Sequence, residues 1–370
     1  MRAEEASGTS AAGPGTGPQP GAPKGAPGGA KKYALMVLFP FVMVMLLVSV
    51  YSGAMHSPSP KDMPVAVVGQ TAQAEKLASG LEATDGSRVD VRLVSTVAEA
   101  EQLLHDREIS GAFALPTTTD SAAVLYTAQA AGASQATIVE SIFQPVADAQ
   151  HLDMDHKDVT PLPTSDGMGI AVLFTAIGWM LAGYLVVTMV SSGAPELSSR
   201  RRMVPLMAGW AAVMSTMVWL LVGPVIGAVD GHAWALLGLG WLSVFSVAMA
   251  QTFFARVFGP LAVLPGIALF MFLGVPSSNI MMSIYTVPGM FAFLHEVLPL
   301  PAAGEALRSI LYFGGDGVGG HLAVLGAWAV AGLLLTTGID RLRRRGKGRA
   351  TAEAEHITAE SASAEALAAA

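Results

Sequence analysis

The sequence predicts an α-helical polytopic membrane protein with six transmembrane helices and an extracytoplasmic α/β domain inserted between the first two. Three observations predict it. A lone apolar stretch, Tyr33 to Val50, is followed by a long acidic segment, and five more apolar stretches are crowded between Met168 and Ile339. The composition is 52% hydrophobic and 13% charged, against the roughly 25% charged expected of a soluble domain. Basic residues recur wherever the chain must face one side of a bilayer if the apolar stretches cross it in alternation.

Residues 1–32 are rich in Gly, Pro and Ala with almost no large apolar side chain, so nothing there offsets the entropy of ordering; a disordered cytoplasmic tail is expected. Residues 33–52 make the first span, close to the ~20 residues that cross a hydrocarbon core of about 30 Å. A cleaved signal peptide is the alternative, with Ser52 and Ala54 as a small-residue cleavage site. An uncleaved anchor fits better, because the apolar run exceeds the ~7–15 residues of a signal's core and a long tail precedes it.

Residues 53–167 form the inserted domain and its linker. From His56 to Gly167 there are sixteen Asp and Glu against six Lys and Arg, a net of −10 that sets the sign of the whole chain's −7. The pattern alternates strand and helix. Val65 to Gly69 reads as a short buried strand, Thr71 to Ala83 as a helix with Leu77 and Leu81 on one face, and Arg88 to Val94 as a half-buried strand. Thr96 and Glu99 make a capping box for a helix with Leu103 and Leu104 inside. Ile109 to Leu115 and Ala123 to Thr127 read as two more strands, followed by a helix from Ser134 to Gln150. A domain of this size can hold its own core.

His151, Asp153, Asp155 and His156, with Asp158 beside them, are the candidate metal ligands. The favoured reading of that stretch is a hydrated acidic linker to the second span, which Pro161 and Pro163 support. No catalytic residue and no cofactor is expected. The chain has no Cys, no Ser in a Gly-x-Ser-x-Gly setting and no His-Glu-x-x-His, and Gly346-Lys347-Gly348 lacks the strand and flanking geometry of a phosphate loop. Any ATPase must be a separate polypeptide. The lack of Cys also means that no disulfide is used outside the cell.

Residues 168–340 carry five spans, at 169–190, 204–229, 234–255, 259–275 and 320–339; the span at 259–275, the fifth of the six, is short and punctured by Pro260 and Pro265. Lys31 and Lys32, then Arg200 to Arg202, Arg256, and the block from Arg341 to Arg349 mark the inner side, which puts both termini in the cytoplasm of a multi-pass cell-membrane protein. The span cores hold no Asp, Glu, His, Lys or Arg, the groups that ion-coupled transporters keep as relays. Gln251 is the most polar side chain there, and its expected role is hydrogen bonding to neighbouring helices. The segment 276–319 is outside by topology, yet it is apolar and broken by proline. It reads as one or two re-entrant or interfacial helices, with a surface amphipathic loop as the alternative. Residues 341–370 turn from basic to Ala/Glu-rich; the basic block suits anionic membrane lipid rather than nucleic acid, and the Ala/Glu run suits a solvated helix.

Met63-Pro-Val-Ala-Val-Val-Gly69, the stretch from Ala98-Glu-Ala100 through Ile109-Ser-Gly-Ala-Phe-Ala-Leu-Pro116, Leu125-Tyr126 and Leu298-Pro299-Leu-Pro301 occur in an order that resembles the ABC-2 type transporter permeases. The likeness covers roughly residues 33–340 and is greatest to the phage-infection-protein-like subgroup with a large extracytoplasmic insert. The resemblance implies a permease that forms a homodimer or heterodimer, works with a separate ABC ATPase subunit and exports a hydrophobic or amphiphilic substrate. It places ATPase docking on the loop with Glu196, Arg200, Arg201 and Arg202, although topology alone already demands those arginines. It also makes Pro288, Glu296, Pro299, Pro301, Glu305 and Arg308 a possible outer gate. One departure stands out: Gly/Pro-rich 1–30 cannot supply the amphipathic helix that often precedes the first span in tightly ATPase-coupled permeases. The alternative is a non-transporting membrane scaffold, secretion component or surface receptor whose outer domain binds a partner.

Overall fold

The computed structural model describes residues 29–55, 58–85, 87–117, 121–229 and 231–368, so most of the expected N-terminal tail and Asp230 lie outside the described residues. The chain divides into two compact units, residues 1–44 and 45–370. Of the first, the described part is the opening of helix α1 (Gly29–Met55), which starts before the expected boundary at residue 33 and carries Pro40 inside it.

The acidic segment is a five-stranded mixed sheet with helices on both faces. Its elements are β1 (Met63–Val68), α2 (Ala72–Asp85), β2 (Val89–Val94), α3 (Val97–His105), β3 (Gly111–Ala114), β4 (Ala123–Thr127), α4 (Ala133–Ala149) and β5 (Met154–Asp158). The strand order is β2-β1-β3-β4-β5. β1 is parallel to both neighbours, β3 and β4 are antiparallel, and β5 is parallel to β4. All six β1 residues are buried because successive side chains meet helices on opposite faces. Met63, Val65 and Val67 join Leu81 of α2 and Val139 and Phe143 of α4, with Phe143 stacked on Phe113 at 5.1 Å. Ala66 and Val68 join Ala100 and Leu104 of α3. Thr96 caps α3 by accepting from the Glu99 N–H at 3.2 Å, and the Glu99 carboxylate accepts from Ser95 N–H at 2.8 Å, one residue earlier than a strict capping box.

β5 corrects the linker reading. Met154 to Asp158 pairs with β4 along its whole length, from Ala123 against Met154 to Thr127 against Asp158. Backbone hydrogen bonds hold an edge strand whose polar side chains face outward, so the residues look like a solvated loop although their main chain is in the sheet.

Four segments among the described residues are long and apolar enough to cross a membrane: Ile170–Gly193, Arg200–Val225, Ala233–Leu273 and Val318–Gly346. The first is α5. The second is α6 (Arg200–Leu220) continued by a π-helical turn from Leu221 to Val225. The third holds α7 (Ala233–Phe258), a 3₁₀ turn at Gly259–Ala262, α8 (Val263–Ile267) and a π-helical stretch Ala268–Leu273. It is not one straight rod, because Gly259 has φ +57° and ψ −127° and turns the chain back. Gln251 of α7 then donates to the Ala262 carbonyl at 2.9 Å, across the corner. The expected fourth and fifth spans are therefore the two legs of a helical hairpin.

Small residues let the helices approach closely. A Cβ on Gly332 would sit 2.4 Å from the Met249 carbonyl carbon, so the last helix lies directly on the α7 backbone. Trp210 and Trp241 donate their indole N–H groups to the carbonyls of Ala182 and Ala208, each at 3.0 Å. Beyond the hairpin come α9 (Gly289–Val297), α10 (Pro299–Tyr312) and α11 (Val318–Ala368). In the 51-residue α11 the basic block and the Ala/Glu run continue the final apolar segment without a break, so the helix expected of the Ala/Glu run extends through the basic block as well.

Candidate functional site

Polar side chains gather at two places, at opposite ends of α5 and α11. The first lies where the sheet domain meets α10. Arg107 follows the end of α3 with φ +60°, in a turn closed by its own N–H bonding to the Leu104 carbonyl at 3.1 Å. That turn sends its guanidinium out of the domain. Nη1 donates to Glu305 Oε2 at 2.7 Å and Nη2 to Ser309 Oγ at 2.8 Å. Phe313 lies beneath it at 5.1 Å and meets the His105 ring edge-on at 5.7 Å.

Glu305 and Arg308, three apart on α10, share a face and pair at 2.8 Å, with side chains only 5% and 4% exposed. Asn279, held at φ +58° in the turn after the hairpin, donates to Glu305 Oε1 at 3.2 Å, and its carbonyl accepts from Arg308 Nη2 at 3.1 Å. One carboxylate is thus shared between two guanidiniums and an amide. Burial alone would raise the Glu305 pKa, but the Arg308 guanidinium, aided by His295 and Arg107, outweighs it and holds the group below the usual carboxylate range. Nearby, Asp166 accepts from the N–H groups of Ile170 and Ala171 at 3.1 and 3.0 Å and so caps the start of α5. Burial, with the Asp166 carboxylate adding to it, pushes the Tyr312 phenol up to about 12.

The second gathering is basic. Glu196 stands exposed in a 3₁₀ turn, Pro195–Ser198, and Arg200 to Arg202 open α6, also exposed. Arg200 reaches Thr337 Oγ1 of α11 at 3.0 Å, and Arg202 reaches the Glu196 carbonyl at 3.4 Å. Arg256, at the end of α7, donates to the Ser198 carbonyl and pairs with Asp340 at 3.6 Å. Arg343 closes the set by donating to the Arg256 carbonyl at 2.6 Å. Three stretches far apart in sequence therefore place their cations at one end of the helices.

Of the possible gate residues, Glu305 and Arg308 are brought together, and Pro299 and Pro301 are buried in the first turn of the same helix. Pro288 and Glu296 are exposed and stand apart from that network. The candidate metal ligands do not converge. His151 lies in a left-handed turn after α4, while Asp155 and His156 are adjacent on β5 and so point to opposite faces; His156 faces Glu140 at 3.8 Å. Among the described residues the grouping within metal-ligand reach is His105, Asp106 and Asp316, partly or fully exposed, with Asp106 already held by Gln102 at 3.0 Å. Sequence reasoning missed Arg107, Asn279, Ser309 and Asp166. Arg107 had one available signal, as one of six cations in a strongly acidic segment.

Within the spans, Gln251 is fully buried and bonds to Thr188 Oγ1 at 3.1 Å as well as to Ala262, which is a role in joining helices. A family model described as ABC-2 family transporter protein matches residues 31–337. Neither the curated proteins nor the solved structures yielded a match.

Proposed function

The chain belongs to the ABC-2 family of transporter proteins, and from that premise we propose that it is the permease subunit of an exporter that moves a hydrophobic or amphiphilic substrate outward, driven by a separate ATPase. Membership makes it a multi-pass membrane component of a transporter rather than a catalytic subunit. The observation that carries the finer reading is the basic end of the bundle. There the exposed Glu196 and Arg200 to Arg202 form a fixed surface braced by Thr337, Arg256 and Asp340. Such a braced, charged turn suits a cytoplasmic partner, and its clustered cations support an inner-leaflet position.

In this reading six helices cross the bilayer, the two legs of the hairpin at Gly259 counting as the fourth and fifth, and the sheet domain faces outward. The Arg107 network joins that domain to α10, so Glu305 and Arg308 belong to an outer gate whose position depends on the domain. Two copies, or one copy and a related chain, complete the permease. The Gly/Pro-rich residues before α1 favour a second reading, a membrane scaffold or receptor with no ATPase.

Affinity purification from mild detergent, with identification of co-purifying chains, separates the two. An ABC ATPase is expected with the wild-type protein and is expected to be lost with the paired Glu196→Lys, Arg202→Glu variant. Recovery of the permease without any ATPase overturns the exporter reading; retention by the variant moves docking elsewhere.

A further inference from the structure

The sheet ends at β5, and the outer edge of that strand is open. Ala123 N–H donates to the Asp153 carbonyl and Val159 N–H to the Thr127 carbonyl, each at 2.8 Å, so the odd-numbered residues turn their main chain toward β4. The N–H and C=O groups of Met154, His156 and Asp158 therefore point away from the sheet, and among the described residues they take no main-chain partner. Such a row is a template for another strand unless a proline, a bulge or a charged side chain guards it. β5 has no proline and keeps its register throughout. Its one lysine, Lys157, is drawn onto the α3 face, where Nζ meets Glu101 at 2.8 Å above the Tyr126 ring.

A helix stands beside this open edge. On the face opposite Lys157, a cavity of about 290 Å³ lies between β5 and the first turns of α4. Glu140, His156 and Asp158 line it together with Thr127 and Thr137, and among the described residues no Lys or Arg does. Glu140 has only His156 opposite it, at 3.8 Å. Asp158 commits one carboxylate oxygen to the Gln129 and Thr160 N–H groups, both at 3.1 Å, and its other oxygen has no partner among the described residues. The space suits one long side chain rather than a drug-sized molecule, whose sites run ~300–1,000 Å³. Two carboxylates without a fixed cation select a basic one.

We propose that β5 is the docking strand for an extended segment of a separate polypeptide, which lengthens the sheet by pairing with Met154, His156 and Asp158 and seats a Lys or Arg side chain between Glu140 and Asp158. Main-chain bonds supply the affinity in such an addition, and the cavity beside the strand supplies the choice of sequence. The segment around it carries sixteen acidic against six basic side chains, which draws a basic strand in and sets two copies of the domain against each other. A second copy is thereby the poorer occupant. The pairing needs neither an ATPase nor transport, so it stands or falls separately from the permease reading.

The test is fluorescence anisotropy on the full chain, in nanodiscs of zwitterionic phosphatidylcholine, with a fluorescein-labelled peptide of alternating Thr and Lys. Saturable binding is expected, competed by the unlabelled peptide and not by one of alternating Thr and Glu. The same Thr/Lys peptide methylated at every main-chain nitrogen keeps its charge but has no main-chain donor, and it is expected to bind roughly tenfold more weakly. His156→Pro removes an outward N–H without touching a bond to β4, a place where an edge strand tolerates proline, and is expected to weaken binding to a similar extent. Glu140→Lys, on the exposed face of α4, is expected to weaken it roughly tenfold with no loss of thermal stability. Equal binding of the methylated peptide overturns strand pairing on the wild-type protein alone, and unchanged binding by either variant overturns the location. Self-association of the chain in detergent that His156→Pro abolishes assigns the edge to a second copy instead.

Discussion

Glu305 is the side chain on which the contact between sheet domain and α10 turns, because two guanidiniums share its carboxylate away from water. Removing one partner of such a group leaves charge buried without compensation, which costs about 3–5 kcal/mol. Glu305→Gln is therefore expected to lower the thermal midpoint of the purified protein strongly, and Arg107→Ala less so, since Arg107 is 21% exposed. Equal and additive small losses would mean that the network carries no coupling. The pH dependence follows from the lowered pKa of Glu305. A carboxylate held below its unfolded value stabilises the fold fully above that value and loses its contribution as pH falls through the folded one. The wild-type advantage over Glu305→Gln should then be flat from pH 8 to pH 6 and shrink only in acid below the ordinary carboxylate range. An advantage that fades near neutrality contradicts the assignment. Glu305 and Arg308 were singled out in the sequence among the residues of the proline-broken outer segment, though not as a buried pair. Arg107 was not, because its partner lies 198 residues away and no local pattern encodes that distance.

The elements of the sheet domain were readable where a short apolar run makes a buried strand or where a cap marks an end, as in β1, β4 and the start of α3. β5 was hidden because Met-Asp-His-Lys-Asp has the composition of a loop and its place in the sheet comes from backbone pairing with β4 rather than from an apolar pattern. The hairpin at Gly259 was half visible. Pro260 and Pro265 signalled a broken span, but the reversal itself depends on one glycine at φ +57°. Open space surrounds its Cβ position, so Gly259→Val isolates the backbone cost, about 1–3 kcal/mol. That variant is expected to unfold at lower temperature, whereas Gly238→Ala, in α7 with equally open surroundings, should be neutral or slightly stabilising. Similar behaviour of both variants would remove the corner's special standing.

At the scale of the whole molecule, the absence of cysteine makes orientation directly measurable, since any introduced thiol is unique. A membrane-impermeant maleimide applied to intact cells is expected to label Gln102→Cys on the exposed end of α3 and to spare Arg201→Cys until the membrane is opened. The reverse pattern overturns the outward-facing domain and the exporter with it. The sequence offers an orientation only through cations that recur along the chain; the joining of those cations into one braced surface through Arg256, Asp340 and Arg343 needed the fold. Finally, α11 runs on from Arg343 to Ala368 without interruption. At 1.5 Å per residue those last turns extend about 38 Å past the basic end, more than the ~30 Å width of a small domain. A strut of that reach, rooted beside the Pro195–Ser198 turn, can flank a protein seated on that turn and touch its far side.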